Sequence, residues 1–186
     1  MARARARRPL SPLNESKLNE LALRYVGKYA TTRAKLRAYL SRKLRERGWS
    51  EVREPDLDGI AERFVRAGYI DDAAYALSKS RALSARGYGK RRVVEKLRVA
   101  GVDDKDGQAA RDHADDEAIS AALRFAERKR LGPFAREPAD RQAREKAIAT
   151  MVRAGHGPRL ARAIVVLPPG SGDAEDIRSS LTEVNG

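Results

Sequence analysis

Apolar residues recur at spacings of three and four along most of the chain, the periodicity of one helix face set against a core. The first stripe is Leu18, Leu21, Ala22, Tyr25 and Tyr29, which predicts a helix that Gly27 weakens slightly. Thr31 or Thr32 is placed to cap a second helix, with Leu36, Tyr39, Leu40 and Leu44 on one face. Gly48 ends it as a left-handed residue, and Trp49 follows where a hydrophobic cap contact is expected. A third helix opens around "EPDLDGI", with Leu57, Ile60, Ala61 and Phe64 inward, and closes at Gly68.

The pattern then repeats. "DDAAYALSKSRALSARG" predicts a helix with Ala73, Ala76, Leu77 and Leu83 inward, stopped at Gly87. "KRRVVEKLRVAG" predicts a second, with Val93, Val94 and Leu97 inward, and "DDKDGQAARDHA" a short third one interrupted by Gly107. A further round places Ile119, Leu123 and Ala126 on one helix, then Ala147, Ile148, Met151 and Val152 on another. Leu160, Ala161, Ile164 and Val165 mark the last. The middle helices end at Gly48, Gly101 and Gly155, 53 and 54 residues apart. A period of about 50 residues is the mark of a tandem repeat, and units this small bury a core by packing on their neighbours.

The chain is therefore expected to be all-α, a tandem array of three three-helix repeats at 15–70, 71–114 and 115–167. A basic tail over 1–14 precedes them: "MARARARR" is rich in arginine, and Pro9 and Pro12 come too soon for a long amphipathic helix. A flexible polar tail is expected over 168–186, because "PPGSGDAEDIRSS" has a solvated composition.

Charge narrows the function. Lys and Arg number 39 against 26 Asp and Glu, a net charge of +13, so polyanions are the natural partners. With no cysteine, disulfides, thiolate metal sites and cysteine nucleophiles are excluded. No apolar run approaches the roughly 20 residues needed to cross a bilayer, and the first residues lack a secretory apolar core. A cytoplasmic protein without membrane contact is expected.

Catalytic patterns are missing as well. "GYGKRR" has neither the spacer nor the hydroxyl residue of a phosphate loop, and His113 and His156 lack zinc-ligand spacing. Asp71-Asp72, Asp103-Asp104 and Asp115-Asp116 fall at predicted helix starts, where carboxylates cap backbone amides. Neither an enzyme nor a cofactor is expected.

The cations are organised. Arg33 to Arg47 and Arg81 to Arg98 each hold seven cations and one acid, and each run includes the middle helix of a repeat. Lys90, Arg91 and Arg92 crowd a helix start behind a flexible lead, Gly87-Tyr88-Gly89, although a helix N-terminus disfavours cations. A negative partner would repay that cost, and a helix start with exposed amides suits an anion. Tyr88 has two readings, a stacking platform for a base or a ring packed under the helix turn.

Three segments, "TTRAKLRAYLSRKLRERGW", "FVRAGYIDDAAYA" and "SRALSARGYGKRRVVEKLRVAGV", resemble the RecX family of bacterial modulators of the RecA recombinase. The similarity runs from about Leu21 to Val102. It implies an elongated, curved array of three-helix repeats lying in the groove of a recombinase filament on DNA. There such proteins are understood to inhibit ATP hydrolysis and strand exchange and to limit filament growth, in recombination, repair and the SOS response. Carried over, Arg33 falls in the Thr-Arg motif, and Arg81, Arg86, Lys90, Arg91 and Arg92 in the basic motif of the second repeat. With Lys35, Arg37, Tyr88, Lys96 and Arg98 from the same two basic runs, these are the candidate binding residues. The expected partners are the RecA filament and single- and double-stranded DNA, bound by a monomer. The alternative is a self-sufficient DNA- or RNA-binding helical protein acting through its basic face.

Overall fold

The computed structural model describes residues 11–185; the arginine-rich start of the chain lies outside the described residues. The fold is all-α. Its helices are α1 (Glu15–Lys28), α2 (Arg33–Arg47), α3 (Leu57–Arg66), α4 (Asp72–Ala85), α5 (Lys90–Val99) and α6 (Gln108–Asp116). They continue as α7 (Ala118–Lys129), α8 (Arg141–Arg153), α9 (Pro158–Val166) and α10 (Ala174–Asn185), with a 3₁₀ turn at Gly132–Phe134. Two compact units divide the chain, one ending at Asp72 and one starting at Ala73.

In the first unit α1, α2 and α3 close over Leu18, Ala22, Leu36, Leu40, Ile60, Ala61 and Ile70. Thr32 is the cap of α2, its hydroxyl accepting from the Lys35 amide at 3.2 Å, while Asn14 and Asp56 cap α1 and α3. Gly48 takes φ +78° at the end of α2, as its place after the apolar stripe predicts. Beyond it Trp49 donates its indole N–H to the Arg53 carbonyl at 2.8 Å and sits over the same cluster.

Leu13, counted with the tail in the sequence, is fully buried. Its N–H donates to Gly48 O and its carbonyl accepts from Ser50 N, both at 2.9 Å, which pins the entry to α1 beside the exit of α2.

Among the described residues the second unit holds two apolar clusters. Ala76, Leu83, Val93, Leu97, Ala110 and Ala114 join α4, α5 and α6. Ala73 and Val94, expected inward, are exposed. Gly107 stands just before α6 as its N-cap rather than interrupting it, so Ala110 and Ala114 form its buried face. The larger cluster takes Leu123, Phe125, Met151, Ile164 and Val165 from α7, α8 and α9.

It also takes Ile177 and Leu181, which corrects the expectation of a flexible tail over 168–186. Residues 174–185 form α10, which packs on α7. Asp173 begins it by accepting from the Glu175 and Asp176 amides at 2.8 and 3.0 Å. The polar composition hid two apolar residues four apart, Ile177 and Leu181, which is the minimum one helix face needs.

The acid pairs divide. Asp103 accepts from the Asp106 amide at 2.7 Å, closing a turn. Asp72 caps not its own helix but α2, accepting from the Arg33 amide at 3.0 Å. Asp115 and Asp116 stand at the end of α6, not at a helix start.

Candidate functional site

The linker between α4 and α5 is tightly held backbone within the second unit. Gly87 turns the chain at φ +75°, and Tyr88 N–H returns to the Leu83 carbonyl at 3.0 Å. Gly89 then lies against the exit of α8: its N–H donates to Ala154 O at 3.1 Å, and Arg91 N–H donates to Gly155 O at 3.2 Å. A Cβ on Gly89 would stand 2.3 Å from the Gly155 oxygen, and one on Gly155 2.5 Å from the Arg92 nitrogen. The Gly-Tyr-Gly stretch, expected to be a flexible lead into a helix start, is thus a seam of backbone on backbone. Glycine is needed there for close approach.

His156 locks the seam. It is 2 % exposed, and its Nε2 lies 3.1 Å from the Gly87 carbonyl, to which it donates in the neutral form. Burial pushes its pKa below the ordinary 6.5, opposed by the hydrogen bond to Gly87. In the unfolded chain the imidazole takes a proton more readily than in the fold. Stability from this site is therefore complete above about pH 6.5 and is lost as pH falls toward the lowered value. Acidification from pH 7.5 to 5.5 is expected to lower the urea midpoint of the second unit, as its unfolding free energy falls by at most about 1.4 kcal/mol per pH unit. His156→Gln is expected to flatten that dependence; an unchanged slope would remove His156 as its source.

The seam also settles what the helix start offers. The amides of Arg92 and Val93 return to Gly89 O at 3.0 and 3.2 Å, and that of Arg91 is given to Gly155. No bare N-terminal amide of these three awaits an anion, contrary to the sequence expectation, so the cations act through their side chains. Lys90 pairs with Asp115 at 2.5 Å and Arg92 with Glu95 at 2.9 Å. Arg86 lies over the Tyr88 ring at 5.7 Å. Tyr88 itself is half-buried and packs on both apolar clusters, which favours the packed reading over the stacking platform.

Arg91 has no ion pair among the described residues and is exposed. Arg98 is exposed seven positions on, two helical turns along the same face of α5, with Val94 between them. Lys96 is half-buried on the same helix, and Arg81 is exposed on α4. Beside the start of α5 opens a cleft of about 440 Å³, walled by Lys90, Arg91 and Arg159 together with Ile119 and Leu160. Arg159 was not singled out from the sequence. Its position just after "GHGP" was a signal, because Gly155 marks the exit of a middle helix as Gly101 does.

Candidates in the first unit have other occupations. Arg33 Nε donates to the Asp72 carboxylate at 3.1 Å, where the Asp72 side chain is only 3 % exposed, and Nη1 reaches Glu62 at 3.5 Å. Arg37 pairs with Asp58 at 2.6 Å on the surface. Lys35 is half-buried near the start of α2. The Thr-Arg pair is thus part of the scaffold: the threonine caps α2 and the arginine neutralises a buried carboxylate.

No protein-family profile matches the chain. Individual proteins do. The regulatory protein RecX of Myxococcus xanthus (strain DK1622) is 31 % identical over 166 residues, 80 % of this chain and 83 % of that protein. The RecX proteins of Mycobacterium sp. (strain JLS) and Agrobacterium fabrum are 40 % identical over 96 residues and 28 % over 152. These cover 50 % of each chain and 80 % of each chain, respectively. The crystal structure of RecX from Lactobacillus salivarius superposes with a TM-score of 0.63 over 81 % of this chain and 93 % of that one, at 21 % identity, and so shares the fold. The all-α fold, the ordered motifs and these relatives converge: the chain belongs to the RecX family of regulatory proteins.

Proposed function

We propose that this protein binds the RecA filament on DNA and restrains it, lowering ATP hydrolysis and strand exchange, as a non-enzymatic regulator in the cytoplasm. Family membership supports a regulatory role. The observation that carries the site is the exposed face of α5, where Arg91 and Arg98 stand outside any ion pair among the described residues. Lys90 opens the same helix, and the cleft with Arg159 adjoins its start. A filament offers both DNA phosphate and acidic protein side chains, and arginine suits either because its fork pairs with both.

The test is DNA-stimulated ATP hydrolysis by the recombinase, titrated with this protein at near-physiological salt, beside binding to bare DNA. Arg91→Ala combined with Arg98→Ala is expected to raise the half-inhibitory concentration on the order of tenfold or more, because charge-assisted contacts are each worth over 1 kcal/mol. The helical circular dichroism signal is expected to stay intact, since neither side chain is buried. Unchanged inhibition by the folded variant would overturn the site.

A second reading, an independent DNA- or RNA-binding protein, is favoured by the net charge of +13. It prevails if inhibition appears only where bare DNA is saturated.

A further inference from the structure

The first unit carries a cluster of tyrosines that the sequence assigned to the core. Tyr25 and Tyr29, four apart at the end of α1, meet Tyr39 from α2. The Tyr25 and Tyr39 rings stack at 4.3 Å with an angle of 12°, and the Tyr29 ring is tilted against Tyr25 at 5.4 Å. Two of the three rings are half-buried, whereas Tyr29 is 50 % exposed. The result is a braced pair of rings with a third at the surface.

Cations frame it. Lys28 Nζ lies 5.4 Å from the Tyr29 ring centre, and Arg42 Cζ and Lys43 Nζ lie 5.7 and 5.9 Å from that of Tyr39. The hollows between α1 and α2 are lined by these rings with Arg24, Lys35 and two alanines as well, five cations in all and no carboxylate. One acid stands nearby: Glu46, a turn beyond on α2, pairs with Lys43 at 2.6 Å and lies 3.7 Å from Arg42.

A tyrosine stripe of this kind ordinarily belongs to the core; a half-exposed ring with cations around it and no acid lining its hollows does not. Stacking rings set among cations are how proteins hold single strands, the bases resting on the rings and the phosphates on the cations. A duplex keeps its bases stacked on one another and offers no face to a ring at a protein surface.

We infer that the tyrosine cluster of the first unit, Tyr25, Tyr29 and Tyr39 with Lys28 and Arg42, is a binding surface for single-stranded nucleic acid. An unpaired base stacks on Tyr29 and its flanking phosphates meet the cations. This surface stands on its own observations and does not depend on the α5 face or on the recombinase.

The test is fluorescence anisotropy of the full-length protein with a labelled oligothymidine and with a duplex of the same length. Tyr29→Ala is expected to weaken binding to the single strand by about 5- to 150-fold and to leave the duplex almost unaffected, since stacking on one ring is worth roughly 1–3 kcal/mol. Tyr29→Phe keeps the π-face and is expected to bind as the original does. Lys28→Ala with Arg42→Ala is expected to flatten the dependence of log affinity on log salt by about 1.4, two phosphate contacts on a single strand. Equal weakening toward single strand and duplex, or no weakening of either by Tyr29→Ala, would overturn the proposal. Equal unfolding midpoints of the variants and the original protein keep the comparison free of stability effects.

Discussion

Gly155→Ala is expected to cost the second unit about 2–5 kcal/mol. Two separate penalties add. Gly155 has φ +100°, where a side chain strains the backbone by about 1–2 kcal/mol. The added methyl would also stand 2.5 Å from the Arg92 nitrogen and 2.8 Å from the Gly89 carbonyl oxygen. Those are backbone atoms held by two inter-helix hydrogen bonds, so relief requires moving α5 against α8, an overpacking cost of about 1–3 kcal/mol.

Gly170→Ala separates the two terms. Gly170 also has a positive φ, +76°, and lies in the same unit, but nothing stands within 4 Å of the place its Cβ would take. It is expected to lose only the strain, about 1 kcal/mol. Urea denaturation of both variants, followed by helical circular dichroism, checks the difference. Similar losses would mean that the seam yields freely and does not fix α5.

Arg33→Ala is expected to destabilise the first unit by about 2–3 kcal/mol. Removing one partner of a buried pair leaves an uncompensated charge, worth about 3–5 kcal/mol when both groups are buried. Asp72 is buried, but the Arg33 side chain is 33 % exposed, so water relieves part of the cost. The Arg33 backbone amide still donates to Asp72 in the variant, which relieves more. In a double-mutant cycle, Asp72→Ala with Arg33→Ala is expected to cost clearly less than the sum of the two single changes. Additive losses would show that the pair is no unit. If the protein restrains the recombinase as proposed, weaker inhibition by Arg33→Ala together with that loss of stability would report a loosened α2.

Helix existence and type were legible because the apolar residues keep a strict helical spacing. Leu36 and Leu40, or Ile164 and Val165, have one sensible face. Thr32 and Gly48 marked the ends of α2 by chemistry that acts within a few residues, so no tertiary knowledge was needed. The failures share a different cause. Ile177 and Leu181 are too few to announce a helix alone; α10 is stabilised by the α7 surface it covers. Gly87-Tyr88-Gly89 was read as a flexible lead because its partner, the exit of α8, is remote in sequence, and close approach leaves no local trace.

The candidate site was legible in kind and only partly in position. Charge density located α5, yet Lys90 and Arg92 are engaged by Asp115 and Glu95, and only pairing distinguishes them from Arg91. Arg33 shows the limit of carrying a motif across as a contact, since the same pattern serves the scaffold. The tyrosines were assigned to a core because periodicity reports which face is apolar, not how much of a ring at the rim stays wet.

The seam has a consequence for how this sequence can change over generations. Gly87 and His156, 69 residues apart, share a hydrogen bond, and Gly89 and Gly155 share van der Waals space in which neither tolerates a methyl group. Insertion or deletion of one residue in either loop would shift every donor past its acceptor, so length is frozen at both places at once. The exposed stretch 136–138 between the 3₁₀ turn and the cap of α8 makes no such interlock, and lineages can lengthen or shorten it freely. Variation in length should therefore accumulate there, while the two glycine loops drift only together.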